Sequence, residues 1–410
     1  MTQTVAILGR QPALGLVELE SLYGAPALQL VGDQAALIDV DPTTITFDRL
    51  GGSIKLAKLL TIQDTTNWGD IEKWLIEAVA PHTDHLPPGK MDVGLSAYGF
   101  DKLSPQRINA TALEVKKAIR GYGRSVRIVP NKTVDLSSAQ VLHNHLTGER
   151  GWELLFIRHS HQTYVAQTVK VQDINAYAAR DQRRPKRDAR VGMLPPKLAQ
   201  IIINLAGTHT LKSTGQPPTP EQIAASPTSS PTKLLDPFCG TGVILQEALL
   251  MGYDSYGTDV EDRMVDYSKA NLDWLAEQRD LNGRTYLLET GDATNFDWQS
   301  FDVIATETYL GRPFSALPAP DVLKQVTQDV DTIHRKFLKH VAQQTPTGFR
   351  MCLAVPAWKT PNGFQHLKVL DSLEELGYTR TVFSHVRTEE LVYHRPNQIV
   401  ARELVVLTRK

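Results

Sequence analysis

The stretch that decides the fold of this 410-residue chain reads Lys233-Leu-Leu-Asp-Pro-Phe-Cys-Gly-Thr-Gly-Val-Ile-Leu-Gln-Glu-Ala248. A short apolar run leads into Asp236 and a tight turn that ends in Gly240-Thr241-Gly242, and an apolar-periodic segment follows over residues 243–250. Strand, glycine turn and helix in this order predict the opening of a Rossmann-type α/β unit. Glycines let a ligand approach the backbone, and the helix N-terminus offers N–H groups that lack helical partners.

The residues around this turn indicate which ligand it takes. A dinucleotide fingerprint requires a third glycine where Leu245 stands, and no Gly-Lys-Ser/Thr of a phosphate-binding loop follows. Asp236, Asp259 and Asp292 instead stand at the ends of successive predicted strands. Asp259 can accept hydrogen bonds from both ribose hydroxyls, and Asp292 suits an adenine amino group. Any one of these acids could be a helix cap or lie in a solvated turn, but together they repel a pyrophosphate and suit a sulfonium, which predicts S-adenosylmethionine as cofactor.

Length and composition favour a globular protein of two or three domains. The chain is 41% hydrophobic and 22% charged, and its net charge of -1 means that any nucleic-acid contact depends on local basic patches. Two cysteines, Cys239 and Cys352, are too few for a zinc cluster or a disulfide framework. The sequence shows no signal peptide and no membrane-spanning stretch. We therefore expect no metal site, no membrane association and a cytoplasmic location.

The order of predicted elements divides the chain into four parts. Residues 1–65 predict a small α+β module, residues 66–170 a second α+β unit, residues 171–190 a basic linker, and residues 191–410 the Rossmann-type domain. Residues 208–232, rich in Ser, Thr and Pro, are expected to form an exposed, mobile loop inside that last domain.

Towards the C-terminus the alternation of helices and strands changes character. The pattern predicts a helix over Gln365–Leu376, then strands over Thr379–Arg387, Leu391–Tyr393 and Ile399–Thr408. A closing antiparallel strand or hairpin on a mostly parallel sheet is the expected arrangement.

Basic side chains are concentrated in two stretches. Over residues 107–132 they outnumber the single acid, Glu114, and residues 180–190 form the densest basic patch. A solvated face and a flexible linker are the ordinary explanations, whereas contact with a phosphate backbone is the functional one. The candidate substrate-binding residues are Arg107, Lys116, Arg124, Arg127, Arg183, Arg184 and Arg187.

The candidate catalytic residues follow the strand predicted over Phe301–Thr306, in Glu307-Thr-Tyr-Leu-Gly311. Methyl transfer to an exocyclic amine of a base is chiefly a positioning problem, and acceptors that bind the amine N–H groups can orient its lone pair. Glu307 could be such an acceptor, and Tyr309 offers a face on which an extruded base can stack. A loop glutamate and a packed tyrosine are the structural alternative.

With these residues identified, the chain resembles the archaeal and eukaryotic tRNA guanosine-10 N2-methyltransferase family, in which an N-terminal THUMP-containing region precedes a Rossmann-fold methyltransferase domain. The motifs that carry the resemblance are Ile7-Leu-Gly-Arg10, Leu136-Ser-Ser-Ala139, His143-Asn144, Arg184-Pro185, Arg187-Asp188, Gly192-Met-Leu-Pro-Pro196, Asp236-Pro-Phe-Cys-Gly-Thr-Gly242 and Tyr393-His-Arg-Pro-Asn-Gln398. The resemblance implies a seven-stranded sheet, S-adenosylmethionine as methyl donor, and docking of the acceptor end and stem of tRNA, with RNA-binding assigned to residues 66–170. The cofactor site it implies consists of Pro196, Asp236, Phe238, Gly240, Gly242, Asp259, Val260, Asp292 and Ala293.

The catalytic loop departs from the family's pattern of Asp or Asn, Pro, Pro, and Tyr or Phe. Glu307 takes the acid's place on a longer arm, and if Gly311 matches the family's glycine, Thr308 and Tyr309 replace the prolines and Leu310 the aromatic. Three functions stay open: methylation of a guanosine N2, methylation of an amine on another RNA or DNA base, and tRNA binding without turnover. Related eukaryotic enzymes work with a small zinc-containing partner, so an activating subunit also stays open, as does the number of methyl groups added.

Overall fold

The computed structural model describes residues 2–188, 193–207, 232–314, 318–360, 363–396 and 398–410. The chain forms two compact units: the first comprises Met1–Leu16, Tyr23–Asp48 and Gly52–Ala176, and the second Val17–Leu22, Arg49–Gly51 and Tyr177–Lys410. The loop expected over residues 208–232 lies outside the described residues except for Thr232, as do residues 189–192 of the basic stretch.

The first unit is built on one mixed sheet of eight strands. These are β1 (Thr4–Leu8), β2 (Leu28–Val31), β3 (Ala35–Ile38), β4 (Ser53–Gln63), β5 (Met91–Tyr98), β6 (Val126–Ile128), β7 (Gly151–His159) and β8 (Gln162–Val171). They lie in the order β2-β3-β1-β4-β8-β7-β5-β6. The helices along this part of the chain are α1 (Pro12–Tyr23), α2 (Trp68–Val79), α3 (Pro105–Gly121), α4 (Ser138–His143) and α5 (Ile174–Gln182).

Strand β4 joins the parts of this sheet that come from before and after the boundary expected at residue 65. It pairs antiparallel with β1 on one side and with β8 on the other. The two α+β modules expected over residues 1–65 and 66–170 therefore contribute to one sheet, because the 11-residue β4 is long enough to bond both neighbours along its length. Strands β7 and β8 pair antiparallel.

Helices α2 and α3 follow from local sequence signals. Asn67 caps α2 by accepting a hydrogen bond from the Gly69 N–H, and Ser104 caps α3, with proline at its first position. Their buried apolar residues recur at intervals of three or four, which places them on one face of each helix. On α2 and α3 these are Trp68, Ile71, Leu75, Val79, Ile108, Ala112, Val115 and Ile119. They pack into the core formed with β5 and β7.

The second unit contains a mixed sheet with a parallel half and an antiparallel half. Its strands are β9 (Lys233–Asp236), β10 (Asp254–Asp259), β11 (Tyr286–Thr290), β12 (Val303–Glu307), β13 (Arg350–Thr360), β14 (Gly363–Gln365), β15 (Tyr378–Arg380), β16 (Val392–Tyr393) and β17 (Val400–Arg409). Seven of them form the path β11-β10-β9-β12-β13-β17-β15, while β14 pairs with β13 and β16 with β17. Its helices are α6 (Pro196–Ala206), α7 (Val243–Leu250), α8 (Asp262–Gln278) and α9 (Pro320–Gln344).

The order of these elements confirms the predicted α/β fold class. Strands β9 to β13 pair in parallel, and the predicted antiparallel closure is confirmed because β17 runs antiparallel to β13, β15 and β16. Helix α6, which Pro195 caps and Pro196 begins, packs against α7 and β13. Within the described ranges, no helix combines the length and the apolar character that crossing a bilayer requires.

The helix predicted over Gln365–Leu376 is wrong. The chain forms β14 and then only a short 3-10 helix over Lys368–Ser372. Two side chains of α9 explain the difference, because Asp331 Oδ1 accepts the Val369 N–H at 2.5 Å and Arg335 donates to the Ser372 hydroxyl at 2.9 Å. The Val369 N–H is thus bonded to a side chain, whereas in the predicted helix it would donate to the Gln365 carbonyl.

The strand predicted over Thr379–Arg387 is shorter than expected, since β15 ends at Arg380. The carboxylate of Glu20 accepts the backbone N–H groups of Ser384 at 2.6 Å and His385 at 3.0 Å. The segment after β15 is thus bonded to a side chain from a distant part of the sequence.

Candidate active site

Four neighbouring strands of the second unit lead to acidic residues at the same edge of the sheet. Strands β11, β10, β9 and β12 lie side by side and run parallel. Asp259, Asp236 and Glu307 are the last residues of β10, β9 and β12, and Asp292 stands two residues beyond β11. The carboxyl ends of parallel strands are where open α/β sheets bind their ligands. The structure therefore brings the predicted acids to one edge.

The glycine turn between β9 and α7 is held in a left-handed backbone conformation. Gly240 has φ 51° and Gly242, which caps α7, has φ 79°. A Cβ on Gly242 would lie 2.9 Å from the Ser268 hydroxyl of α8, so both the backbone and the space favour glycine there. Asp259 Oδ2 accepts the Gly240 N–H at 2.9 Å, and Ser268 donates to the Gly240 carbonyl at 2.8 Å. The turn is thus fixed by β10 and α8 before any ligand binds.

Asp236 is a buried carboxylate, and one of its two oxygens accepts hydrogen bonds from within the protein. Its Oδ1 accepts hydrogen bonds from the Thr306 hydroxyl at 2.6 Å and the Phe238 N–H at 3.2 Å. The other oxygen, Oδ2, has no hydrogen bond with the described residues. Burial, together with the negative charges of Asp259 and Glu307, raises the pKa of Asp236 to about 7. A cation bound at Oδ2 would stabilise the ionised form.

The remaining predicted cofactor residues differ in exposure. Val260 follows Asp259 directly and is 66% exposed, so its side chain could cover a flat ring. Asp292 Oδ1 accepts the Thr294 N–H at 2.9 Å, and Ala293 between them is buried. Phe238 lies in the glycine turn, half-buried, and packs edge-on against Phe337 of α9. Pro196 is the buried first residue of α6.

Glu307 is held by an arginine that the sequence analysis did not single out. Arg402 Nε of β17 donates to Glu307 Oε1 at 2.6 Å, and the two side chains are 3% and 16% exposed. Burial raises the pKa of the Glu307 carboxyl above its ordinary value, and Arg402 opposes that shift. The signal in the sequence was a basic residue within the apolar stretch Ile399–Thr408. Tyr309, the other predicted catalytic residue, is 45% exposed.

Thr308 anchors the loop between these two residues. Its N–H donates to the Ala354 carbonyl of β13 at 3.0 Å, and its hydroxyl lies 2.6 Å from His334 Nε2 of α9. His334 Nδ1 lies 2.8 Å from the Val330 carbonyl, which can only accept, so Nδ1 carries the proton and Nε2 accepts from Thr308. Burial lowers the pKa of His334 to about 4, which keeps the ring neutral at physiological pH.

Most of the predicted substrate-binding residues in the first unit have partners within the protein. Arg107 pairs with Glu72 and Arg127 with Asp92, each at 2.6 Å. Arg124 Nη1 donates to the Thr83 and Leu86 carbonyls at 2.9 and 3.2 Å. Lys116 on α3 is half-buried and has no ion pair with the described residues.

The basic stretch is packed against the glycine turn, so the described part of residues 171–190 is not a flexible linker. Arg180 pairs with the buried Glu247 of α7 at 2.9 Å. Asn271 of α8 bonds the Lys186 backbone N–H and carbonyl, and also the Thr241 carbonyl at 2.8 Å. These bonds fix the backbone of the stretch beside α7 and α8.

The three arginines predicted here to bind substrate are not equivalent. Arg184 is only 3% exposed, with Nη1 3.4 Å from the Thr241 hydroxyl, and burial lowers its pKa. Arg183 and Arg187 are exposed. Arg184 therefore does not share the surface of the other two, because packing against the turn has removed it from solvent.

The described residues contain no group of three or more His, Cys, Asp or Glu that could hold a metal ion. Cys239 and Cys352 are both buried free thiols. In Cys239, burial and the charges of Asp236 and Asp259 raise the pKa of the thiol, so it is a neutral packing residue under the glycine turn.

Comparison with known proteins places this site in context. No model of a known protein family matches the chain. In sequence it is similar to the tRNA (guanine(10)-N2)-dimethyltransferase of Pyrococcus abyssi, 32% identical over 122 residues, which is 29% of this chain and 29% of that protein. It is also 37% identical over 81 residues to the protein of the same name from Methanothermobacter thermautotrophicus, 20% of this chain and 18% of the relative. The matched segments thus span less than a third of these curated relatives.

Structural similarity extends further along the chain. TrmN from Thermus thermophilus matches with a TM-score of 0.51 and 17% identity, covering 100% of each chain. The chain thus shares its Rossmann-like α/β fold with TrmN. Both predictions about the fold, the α/β class and the Rossmann-like domain, are therefore confirmed, and identity this low is evidence for the fold alone.

Proposed function

We propose that this protein is a cytoplasmic, S-adenosylmethionine-dependent tRNA methyltransferase that methylates the exocyclic N2 amine of a guanosine, at position 10 of tRNA. The observation that carries the proposal is the row of carboxylates from Asp292 through Asp259 and Asp236 to Glu307 along one edge of the sheet. Asp236 and Asp259 are the last residues of β9 and β10, next to the glycine turn, and Asp292 stands two residues beyond β11. Glu307 begins the loop that would receive the substrate. Cofactor and substrate sites thus adjoin on neighbouring strands.

The residues at this edge fit S-adenosylmethionine. Asp236 Oδ2 is available for the positive charge of the cofactor, and a group whose pKa lies near 7 responds strongly to such a charge. Asp259 Oδ2 accepts the Gly240 N–H of the turn at 2.9 Å and Oδ1 accepts the Glu261 N–H at 3.0 Å, and each oxygen keeps a second lone pair for a ribose hydroxyl. Exposed Val260 suits one face of the adenine, and Asp292 its amino group. When bound, the cofactor supplies an electrophilic methyl group.

The chain's own residues would orient the acceptor amine. Glu307 Oε1 is held by Arg402, while Oε2 has no hydrogen bond with the described residues. Oε2 can accept an N–H of the amine, which turns the nitrogen lone pair away from the ring and stabilises the developing positive charge. Tyr309, 45% exposed, offers a face for the extruded base. We therefore assign Glu307 and Tyr309 as catalytic residues.

The substrate assignment rests on the two relatives, whose names specify guanine 10 of tRNA. Phosphate contacts would come from basic side chains that make no ion pair with the described residues. Lys116 on the first unit, proposed here as a THUMP-like RNA-binding unit, and Arg183 and Arg187 on the second meet this condition. Arg107, Arg124 and Arg127 would have to exchange internal partners for phosphates, so we expect smaller effects from them.

The test is methyl transfer from labelled S-adenosylmethionine to bulk tRNA, followed by analysis of the nucleosides. N2-methylated guanosine supports the proposal, another methylated base indicates a different amine, and tRNA binding without product indicates a non-catalytic protein. Glu307→Ala should lower turnover by roughly 10²–10³-fold with cofactor affinity unchanged, the magnitude typical of one lost transition-state acceptor. The matched control is Glu375→Ala, an exposed glutamate of the same unit, which should leave turnover unchanged.

A further inference from the structure

Arg402 makes the two carboxylate oxygens of Glu307 different, because it donates a hydrogen bond to only one of them. The Nε–H of Arg402 donates to Oε1 at 2.6 Å, and its Nη1 lies 3.4 Å from the Gln398 side-chain carbonyl. Oε2 of Glu307 makes no hydrogen bond with any described residue, and the Glu307 side chain is 16% exposed. A carboxylate bonded in this way has one anchored oxygen and one acceptor left for a ligand.

The anchor compensates for the length and flexibility of the glutamate side chain. A free glutamate loses rotamer entropy when it is ordered, and a catalytic group must be held closely to be effective. Arg402 is rigid here, since it is 3% exposed and lies on β17, which pairs with β13, the strand next to β12. The following residue, Thr308, is fixed independently by Ala354 and His334. Backbone and side chain of the loop are thus each held by a separate element.

The same arginine also favours the ionised form of Glu307. Burial disfavours that charged form, and the charge and hydrogen bond of Arg402 oppose the effect of burial. His334 of α9, which bonds the adjacent Thr308, is neutral. Among the described residues, the cation that faces Glu307 is Arg402 of β17. Without it, the carboxyl would more readily take up a proton and lose its capacity to accept from a neutral amine.

We propose that Arg402 is a positioning residue for the methyl transfer: it anchors Glu307 Oε1 and presents Oε2 to the substrate amine. This inference rests on the proposed function, because Oε2 has this role only if the methyl group is transferred to an amine whose N–H it can accept. It assigns a role to a residue 95 positions further along the chain.

The experiment compares Arg402→Gln and Arg402→Lys in the full-length chain. Arg402→Gln should lower kcat on the order of 10²-fold, as expected when one partner of a buried charge pair is removed, with KM for S-adenosylmethionine unchanged. The acidic limb of its kcat–pH profile should move up by about one pH unit or more, because the lost cation no longer favours ionised Glu307. Arg402→Lys restores the charge and should bring that limb back towards the wild type, with kcat only partly recovered.

Arg380→Gln is the matched control. Arg380 pairs with Glu403, the neighbour of Arg402 on β17, at 2.8 Å, so this variant breaks a similar ion pair away from Glu307. It should leave the pH profile in place. In a Glu307→Gln background, Arg402→Gln should cause little further loss of kcat, because the residue through which it acts is already altered.

A second readout needs no turnover. Carbon-13 NMR of labelled glutamate carboxyls, with the Glu307 signal assigned from Glu307→Gln, should show a higher Glu307 pKa in Arg402→Gln. An unchanged Glu307 pKa, or equal losses of kcat with and without Glu307, would overturn the positioning role. If Glu307→Ala retains full turnover, the proposed mechanism itself fails. If Glu307→Ala is inactive while Arg402→Gln behaves as the wild type, only the role of Arg402 fails.

Discussion

Asp236→Asn should make the protein more stable than the wild type at alkaline pH and should lower its affinity for S-adenosylmethionine. An asparagine oxygen in place of Oδ1 can still accept from Thr306 and from the Phe238 N–H. The amide nitrogen would replace Oδ2, which has no hydrogen bond with the described residues. The substitution therefore removes a charge and leaves the internal hydrogen bonds in place.

The magnitude follows from the displaced pKa of Asp236, from 3.8 to about 7. The folded state then holds this proton more tightly than the unfolded chain, so the free energy of unfolding falls as pH rises from about 4 through 7. At about 1.4 kcal/mol for each pH unit, the loss reaches at most about 4 kcal/mol at pH 8. Asparagine does not titrate, so the variant should be spared this loss. The variant should instead bind S-adenosylmethionine roughly 10–100-fold more weakly, which is the loss expected for one charge-assisted hydrogen bond.

Urea denaturation of the ligand-free protein at pH 5.5 and pH 8, with calorimetric titration of S-adenosylmethionine, measures both effects. The variant's advantage in unfolding free energy should grow between the two pH values. The affinity of the wild type should rise with pH and level off above 7, while that of the variant stays flat. Equal stabilities at both pH values, together with equal affinities, would refute the reasoning about this carboxylate.

The other predictions concern the ribose acceptor, the catalytic loop and the first unit. Asp259→Ala should weaken S-adenosylmethionine binding by roughly 10–100-fold, since it removes a ribose acceptor and a bond to the glycine turn; calorimetry with unchanged affinity would dismiss the ribose role. Thr308→Val removes the hydroxyl that His334 accepts at 2.6 Å, which should lower kcat and cost about 1–3 kcal/mol of stability. A Thr308→Ser variant, which keeps the hydroxyl, should recover most of both in the same assays. Lys55→Met should destabilise the protein by about 3–5 kcal/mol in urea, because it leaves Glu153 buried and unpaired; pairing it with Glu153→Met should recover much of that loss, and an additive double variant would contradict the coupling.

Several features of the site were predictable because their causes are local. The strand, turn and helix over residues 233–250 follow from an apolar run, glycines at positions of positive φ and an apolar helical repeat. The acids at the ends of β9 and β10 were recognisable because each closes a predicted strand. Their meeting at one edge then follows from the parallel pairing that the alternating pattern implies.

Features that depend on distant residues could not be read in this way. The helix expected over Gln365–Leu376 has a suitable apolar pattern, but Asp331 and Arg335 of α9 capture its backbone and side-chain groups. The burial of Arg184 likewise depends on the packing of its segment against Thr241 and α8. A count of basic residues cannot distinguish such an arginine from the exposed Arg183.

By itself, the sequence determined the α/β class, the glycine turn and the acidic strand ends, because periodicity, backbone freedom and strand termination are properties of neighbouring residues. Only the tertiary structure decided that Glu307 is bonded to Arg402, that Asp236 keeps one unpaired oxygen, and that Thr308 is fixed by His334. Hydrogen bonding, burial and pKa depend on which atoms approach through space. In this protein those atoms come from strands and helices far apart in the chain.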